Sequence, residues 1–222
     1  MAYILSIETS TTNCSVSLSH KGETLVVKED NDRNYSHAES LHSIIDAVLK
    51  QGNIGTSQLD AIAVSKGPGS YTGLRIGVSA AKGLCYALKL PLISISTLAA
   101  LAHQVQIEEG LIIPMLDARR MEVYSSIFNA NHEMIRAIEA QILDDSSFQQ
   151  ELNTSKIYFL GNGVEKSKVL LAHENALFID DKLPSAAQMG ALAYAKYKIS
   201  DIEDVAYFEP FYLKDFMVKK KV

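Results

Sequence analysis

Leu59-Asp60-Ala61-Ile62-Ala63-Val64-Ser65-Lys66-Gly67-Pro68-Gly69-Ser70-Tyr71-Thr72-Gly73 passes from a near-continuous apolar run into a glycine-rich loop, and a mostly apolar segment from about Leu74 to Lys89 follows. An apolar run from Leu59 to Ser65 is what a strand shows when both its faces are covered, as in the middle of a parallel sheet. The segment after the loop is long enough for a helix, and Pro91 to Ser96 is a second apolar strand with a short helix beginning near Thr97. Strand, helix, strand, helix in that order is an α/β plan.

Upstream, Tyr3 to Glu8 alternates, Cys14 to His20 alternates again, and the turn His20-Lys21-Gly22 leads into a third strand from Glu23 to Lys28. Short connections make these an antiparallel meander. A helix follows, with Ser36 as N-cap and Glu39 three residues later in the capping-box arrangement. Ala38, Leu41, Ile44, Ile45, Val48 and Leu49 fall on one face of it, and Gly52 is placed to close it in the C′ role.

Downstream the same plan recurs without any repeat of residues. Leu111–Leu116, Glu122–Phe128 and about His132–Ile138 read as strands with turns at Ala118-Arg119-Arg120 and Asn129-Ala130-Asn131. A short helix is predicted around Ser147–Leu152 and a strand over Lys156–Leu160. Gly161-Asn162-Gly163 follows, then a helix to about Leu171, a strand at Ala176–Ile179 and a helix over Ser185–Tyr197. Two halves of β-β-β-α-β-α-β-α type predict an actin-like, two-lobed α/β fold with RNase H-like lobes. The first lobe spans 1–105 and the second 106–199, with 200–222 packing back on the first. In such folds the turn after each first strand faces a central cleft. Glu8, Thr9, Ser10, Gly67, Gly69 and Ser70 from one half, and Asp117, Gly161 and Gly163 from the other, are the expected cleft residues.

The chain has 222 residues and a net charge of -5, with 47% hydrophobic residues, the profile of a globular protein with its own core. A protein that holds nucleic acid alone usually presents a basic face, and here only Lys219, Lys220 and Lys221 cluster. Two cysteines make no disulfide framework. No apolar run reaches membrane-spanning length and the start has no signal-like pattern, so the expected location is the cytoplasm.

Chemistry is sparse. The loop from Gly67 to Gly73 precedes a helix, where free N–H groups favour anions, but it fits neither the P-loop nor G-x-G-x-x-G. A tight turn that needs glycine is the competing account. Glu8-Thr9-Ser10 lacks the Asp-x-Gly turn that actin-like ATPases present to phosphates. His37 and His42 lie five apart, about 140° around a helix, so one metal cannot take both. No G-x-S-x-G elbow occurs, and Cys14 and Cys85 sit in apolar patterns. On the helix after the loop, Arg75, Ser79, Lys82 and Lys89 form a narrow polar stripe, with Gly73, Gly77 and Ala81 recurring opposite it. Two readings stay open: the helix is sandwiched within its own lobe, or part of its surface packs on another subunit.

Ile4-Leu5-Ser6-Ile7-Glu8-Thr9-Ser10 together with Gly67-Pro68-Gly69-Ser70-Tyr71-Thr72-Gly73-Leu74-Arg75-Ile76-Gly77 and Ala81-Lys82-Gly83-Leu84 resembles the TsaB family of the bacterial tRNA threonylcarbamoyladenosine pathway. Ser36-His37-Ala38-Glu39, Leu116-Asp117-Ala118-Arg119-Arg120-Met121-Glu122-Val123-Tyr124 and Gly161-Asn162-Gly163 add weaker matches. The resemblance implies a non-catalytic subunit that pairs with TsaD, with the ATPase TsaE joining them. In that scheme TsaD transfers the threonylcarbamoyl group to adenosine 37 of tRNA, which meets this chain only through the complex.

The resemblance further implies pairing through the helices that start near Ser36 and Gly73. His37, Leu41, Ile44, Ile45, Tyr71, Gly73, Arg75, Gly77 and Ala81 are the expected interface. A homodimer is expected on the same surface when the partner is absent. Where the enzyme carries a His-x-x-x-His metal pair, this chain has Thr97-Leu98-Ala99-Ala100-Leu101. No cofactor is implied for the isolated chain, and ADP or ATP could sit at the partner interface. A glycoprotease-like metallopeptidase, an actin-like small-molecule kinase and a self-associating scaffold are the alternatives.

Overall fold

The computed structural model describes residues 2–31 and 37–214. Strands β1 (Tyr3–Glu8), β2 (Cys14–His20) and β3 (Glu23–Asp30) form the meander, followed by α1 (His37–Gln51), β4 (Ala61–Gly67), α2 (Tyr71–Leu88), β5 (Leu92–Ser96) and α3 (Thr97–Ala102). The first sheet has the order β3-β2-β1-β4-β5, with β1 antiparallel to β2 and parallel to β4. Lys21 and Gly22 both have positive φ (54° and 90°), the conformation of a two-residue hairpin turn whose twist matches the strands.

Side-chain alternation on these strands decides which helix covers which face. Leu5, Ile7, Val16, Leu18, Ile62 and Val64 face α1 and α2 and form one core with Leu41, Val48 and Val78. Ile4, Ala61, Ala63, Ile93 and Ile95 face the opposite side and form another with Ala100 and Met189.

The second half contains β6 (Leu111–Asp117), β7 (Glu122–Asn129), β8 (Met134–Ile142), α4 (Gln149–Leu152), β9 (Ile157–Leu160), α5 (Val164–Ser167), β10 (Ala176–Ile179) and α6 (Met189–Lys198). Its sheet order, β10-β9-β6-β7-β8, repeats that of the first. The doubled plan is therefore real, and the fold is the two-lobed, actin-like α/β architecture.

Several boundaries differ from the sequence reading. Helix α2 begins at Tyr71, three residues earlier than expected, because Ser70 accepts a hydrogen bond from Gly73 N and caps it. The helix after Gly163 lasts a single turn. The left-handed residue after α1 is Asn53 (φ 55°), not Gly52. Ser36 and the lysines at 219–221 lie outside the described residues.

Two helices have unexpected addresses. The one read as the end of the second lobe, α6, covers the first sheet instead. Ser17 Oγ donates to Ala186 O (2.7 Å) and Ala186 N donates to Ser15 Oγ (2.9 Å). A Cβ on Gly190 would lie 2.8 Å from that of Ser19, so the small outward residues of β2 let α6 approach closely. Helix α3 lies between the sheets: Ala100 joins the core under α6, while Leu98, Leu101 and Ala102 join Ile112, Leu116, Phe128 and Leu160 of the second lobe.

From Ile202 onward the chain becomes a strap. Glu203 bridges Leu92, Lys82 Nζ holds the carbonyls of Ala206 (3.1 Å) and Phe208 (2.9 Å), and Phe211 N donates to Lys66 O (2.7 Å). Tyr212 then packs on Tyr71, and Lys214 pairs with Glu122 of the second lobe. No described helix is long and apolar enough to cross a membrane.

Candidate functional site

The turn after β1 and the glycine loop after β4 meet, but they leave no cradle between them. Thr9 Oγ1 donates to Gly73 O (2.8 Å), and Ser70 N donates to Ser10 O (2.6 Å). A Cβ at Gly73 would lie 2.1 Å from Thr9 O, one at Gly77 2.3 Å from Thr9 Oγ1, and one at Gly69 2.6 Å from Ser10 O. These glycines admit the chain's own Thr9–Ser10 turn to the space that a phosphate would need. Gly67 (φ 107°) is covered by the strap, its Cβ position 2.8 Å from Phe211 O.

Glu8, at the end of β1, is fully buried. Its Oε1 accepts from Ser10 N (2.6 Å) and from Ser65 Oγ (2.9 Å), while Oε2 has no partner among the described residues. Burial raises its pKa, and the hydrogen bonds from Ser10, Ser65 and the Thr9 backbone only partly oppose that. A carboxyl group of the chain thus takes up N–H donors that could otherwise hold an anion.

A group whose folded pKa is raised contributes stability below its unfolded value and loses it as pH rises through the folded one. Glu8→Gln is therefore expected to raise the urea midpoint at pH 7, with the advantage shrinking towards pH 4. A gap independent of pH would show that Glu8 is not the titrating group.

In the second lobe the expected residues also close on one another. Asn162 Oδ1 accepts from Asp117 N (2.9 Å), so the Gly161-Asn162-Gly163 turn caps the Asp117 turn. Gly161 and Gly163 pack on Met115, at 2.2 Å and 3.0 Å from their Cβ positions, rather than lining open space. Asp117 remains half exposed, held by Lys166. The structure therefore does not assemble Gly67, Gly69, Gly161 and Gly163 around one open cleft. Thr97 and Leu101 are buried between the lobes. No group of three or more His, Cys, Asp and Glu that could hold a metal occurs among the described residues.

The open feature lies between α1 and α2, an apolar groove of about 740 Å³. Ala38, Leu41 and His42 form one wall, and Tyr71, Thr72, Arg75, Ile76, Ser79, Ala80, Gly83 and Leu84 the other. At one end Arg75 stacks over the Tyr71 ring at 5.3 Å and donates to its hydroxyl (3.1 Å). Of the residues expected at an interface, Leu41, Tyr71 and Arg75 line this groove and Ile44 is half-buried nearby on α1.

Gly73, Gly77 and Ala81 are a correction: they face inward, the first two onto Thr9 and the third into the core. His37 and Ile45 are buried as well, with His37 Nε2 2.7 Å from Thr11 O. Ile76, Ala80, Gly83 and Leu84 line the groove outside the interface expected from the sequence. The available signal was the adjacent i, i+4 row Thr72-Ile76-Ala80-Leu84, apolar beyond its first residue and flanking the Arg75–Ser79 stripe.

The family model described as TsaD, tRNA N6-adenosine threonylcarbamoyltransferase, matches residues 31–220. The chain is 30% identical to tRNA threonylcarbamoyladenosine biosynthesis protein TsaB from Haemophilus influenzae, over 99% of this chain and 96% of that protein. The chain belongs to the TsaB family.

Among solved structures, YeaZ from Pseudomonas aeruginosa superposes with a TM-score of 0.82 at 28% identity, covering 96% of this chain and 100% of that one. (R)-2-Hydroxyglutaryl-CoA dehydratase component A from Acidaminococcus fermentans shares the fold alone, with a TM-score of 0.52 at 12% identity over 89% of this chain and all of that one. The stretch matched by the family model takes in the α1–α2 groove and the Asp117 turn of this TsaB-family chain. It begins after the Thr9–Ser10 turn.

Proposed function

We propose that this TsaB-family protein is a supporting subunit, without a catalytic centre of its own, in the formation of threonylcarbamoyladenosine at position 37 of tRNA. It docks to a TsaD-like transferase that carries out the transfer, with a TsaE-like ATPase as third member, and works in the cytoplasm. The name of the Haemophilus influenzae relative supports the pathway. The observation that carries the role is the contrast between the two sites. The space beside the Gly67–Gly73 loop is filled by Thr9, Ser10 and Glu8, whereas the groove along α1 and α2 is apolar and open. Grooves between neighbouring helices accept a partner's helices at little cost in hydrogen bonding.

The same groove serves a second copy of the chain when the transferase is absent. ADP or ATP, where present, belongs to the interface of the complex. No specific observation favours the peptidase or kinase readings.

The test is reconstitution of tRNA modification with TsaD and TsaE, with and without this protein. The expected result is no detectable product without it. Equal product in its absence would end the supporting-subunit reading.

A further inference from the structure

The turn between β6 and β7 holds Arg119 and Arg120 side by side, both exposed and both left-handed (φ 70° and 47°). It is fixed from several directions. Arg119 N donates to Asp117 Oδ1 (2.9 Å), and Ala118 N and Glu122 O close the hairpin (3.0 Å). Lys166 Nζ reaches Asp117, Arg120 O (2.9 Å) and Glu122 O (2.5 Å).

The charges here do not cancel. Lys166 matches Asp117, and Lys214, delivered by the strap, matches Glu122. Neither guanidinium has an ion-pair partner among the described residues, so two positive charges are left over on a chain whose net charge is -5. The sequence issuing from Lys214 carries Lys219, Lys220 and Lys221 against the single carboxylate side chain of Asp215.

We propose that the Arg119–Arg120 turn, with Lys214 beside it, contacts the phosphate backbone of RNA. An exposed turn with no enclosing pocket is poorly shaped for a small anion and well shaped for an extended polyanion. Guanidinium groups match phosphate bidentately, and such contacts add affinity without reading sequence. That the RNA is tRNA rests on the proposed function. The fold places this turn where the strap crosses between lobes, so the two arginines of the second lobe and Lys214 share one surface.

The test uses the reconstituted complex with TsaD and TsaE and unfractionated tRNA, comparing wild type with R119Q/R120Q over about 50–200 mM salt. Losing two phosphate contacts should weaken tRNA binding roughly tenfold at the low end. It should also flatten the slope of log affinity against log salt by about 1.5, with an unchanged thermal midpoint. Modification should fall at limiting tRNA and recover at saturating tRNA. Unchanged affinity and slope, in a complex that still needs this protein for modification, would overturn the RNA contact and leave the proposed function standing. Modification that never needed the protein would overturn the proposed function instead. Rescue of the wild-type–variant difference by millimolar pyrophosphate with no change in slope would mark a small-anion site and overturn the RNA assignment.

Discussion

Gly73→Ala is expected to lose roughly 3 kcal/mol of stability, at the upper end of ordinary overpacking, because the added methyl would sit 2.1 Å from the Thr9 carbonyl oxygen. Neither side can yield easily. Gly73 lies in the first turn of α2, and Thr9 is tied back to it through Oγ1. For a chain of this length such a loss lowers the thermal midpoint by roughly 6–12 °C. Circular dichroism melts of the two proteins decide it, and coincident melts would show that the Thr9 turn is not seated there. Gly77→Arg belongs to the same class, with a Cβ 2.3 Å from Thr9 Oγ1. Loss of partner binding in that variant would report on folding, not docking.

Gly83→Arg is the clean probe of the groove. Its Cβ position has nothing within 4 Å, the residue is exposed, and it lines the groove. Replacing glycine by arginine in an exposed helix interior gains up to about 1 kcal/mol, so the variant should melt at or slightly above the wild-type temperature. Docking should suffer, because a guanidinium would occupy apolar space and be stripped of water without a counter-charge. A loss on the order of thirtyfold in TsaD affinity is expected, the size of a hot-spot change, with tRNA modification falling in step. Calorimetry with TsaD measures it. Full affinity in a well-folded Gly83→Arg protein would place the docking surface elsewhere on the molecule.

Local features were legible in the sequence because they are local. Alternation marked β1 and β2 to the residue, and the apolar run into Gly67 marked a central parallel strand. The doubled plan followed from the order of elements. What could not be read was where elements go once formed. Helix α6 has apolar and small residues scattered round it, so its pattern named no face, and its place on the first sheet depends on Ser15, Ser17 and Ser19 some 170 residues earlier.

The candidate site failed for a related reason. The small residues Gly73 and Gly77 do signal a close approach, but what approaches is the chain's own Thr9, through its carbonyl at Gly73 and its side chain at Gly77, while Ala81 turns into the core. Spacing reports that something comes near, not which molecule it belongs to. Glu8 shows the same limit: a carboxylate after a first strand suggests a ligand contact, and only its burial against Ser10 and Ser65 reveals an internal partner.

The position of α6 also sets an order of events during synthesis. The second lobe is an insertion, its two ends brought together where Gln104 Nε2 donates to Leu183 O (2.5 Å). It is contiguous in sequence and can close as soon as it leaves the ribosome. The first sheet cannot, since the face carrying Ile4, Ala63 and Ile93 is completed by Ala186, Met189 and Ala193. At roughly 5–20 residues per second the nascent chain holds that apolar face open for on the order of ten seconds. The half of the protein that is made first is the half that is finished last.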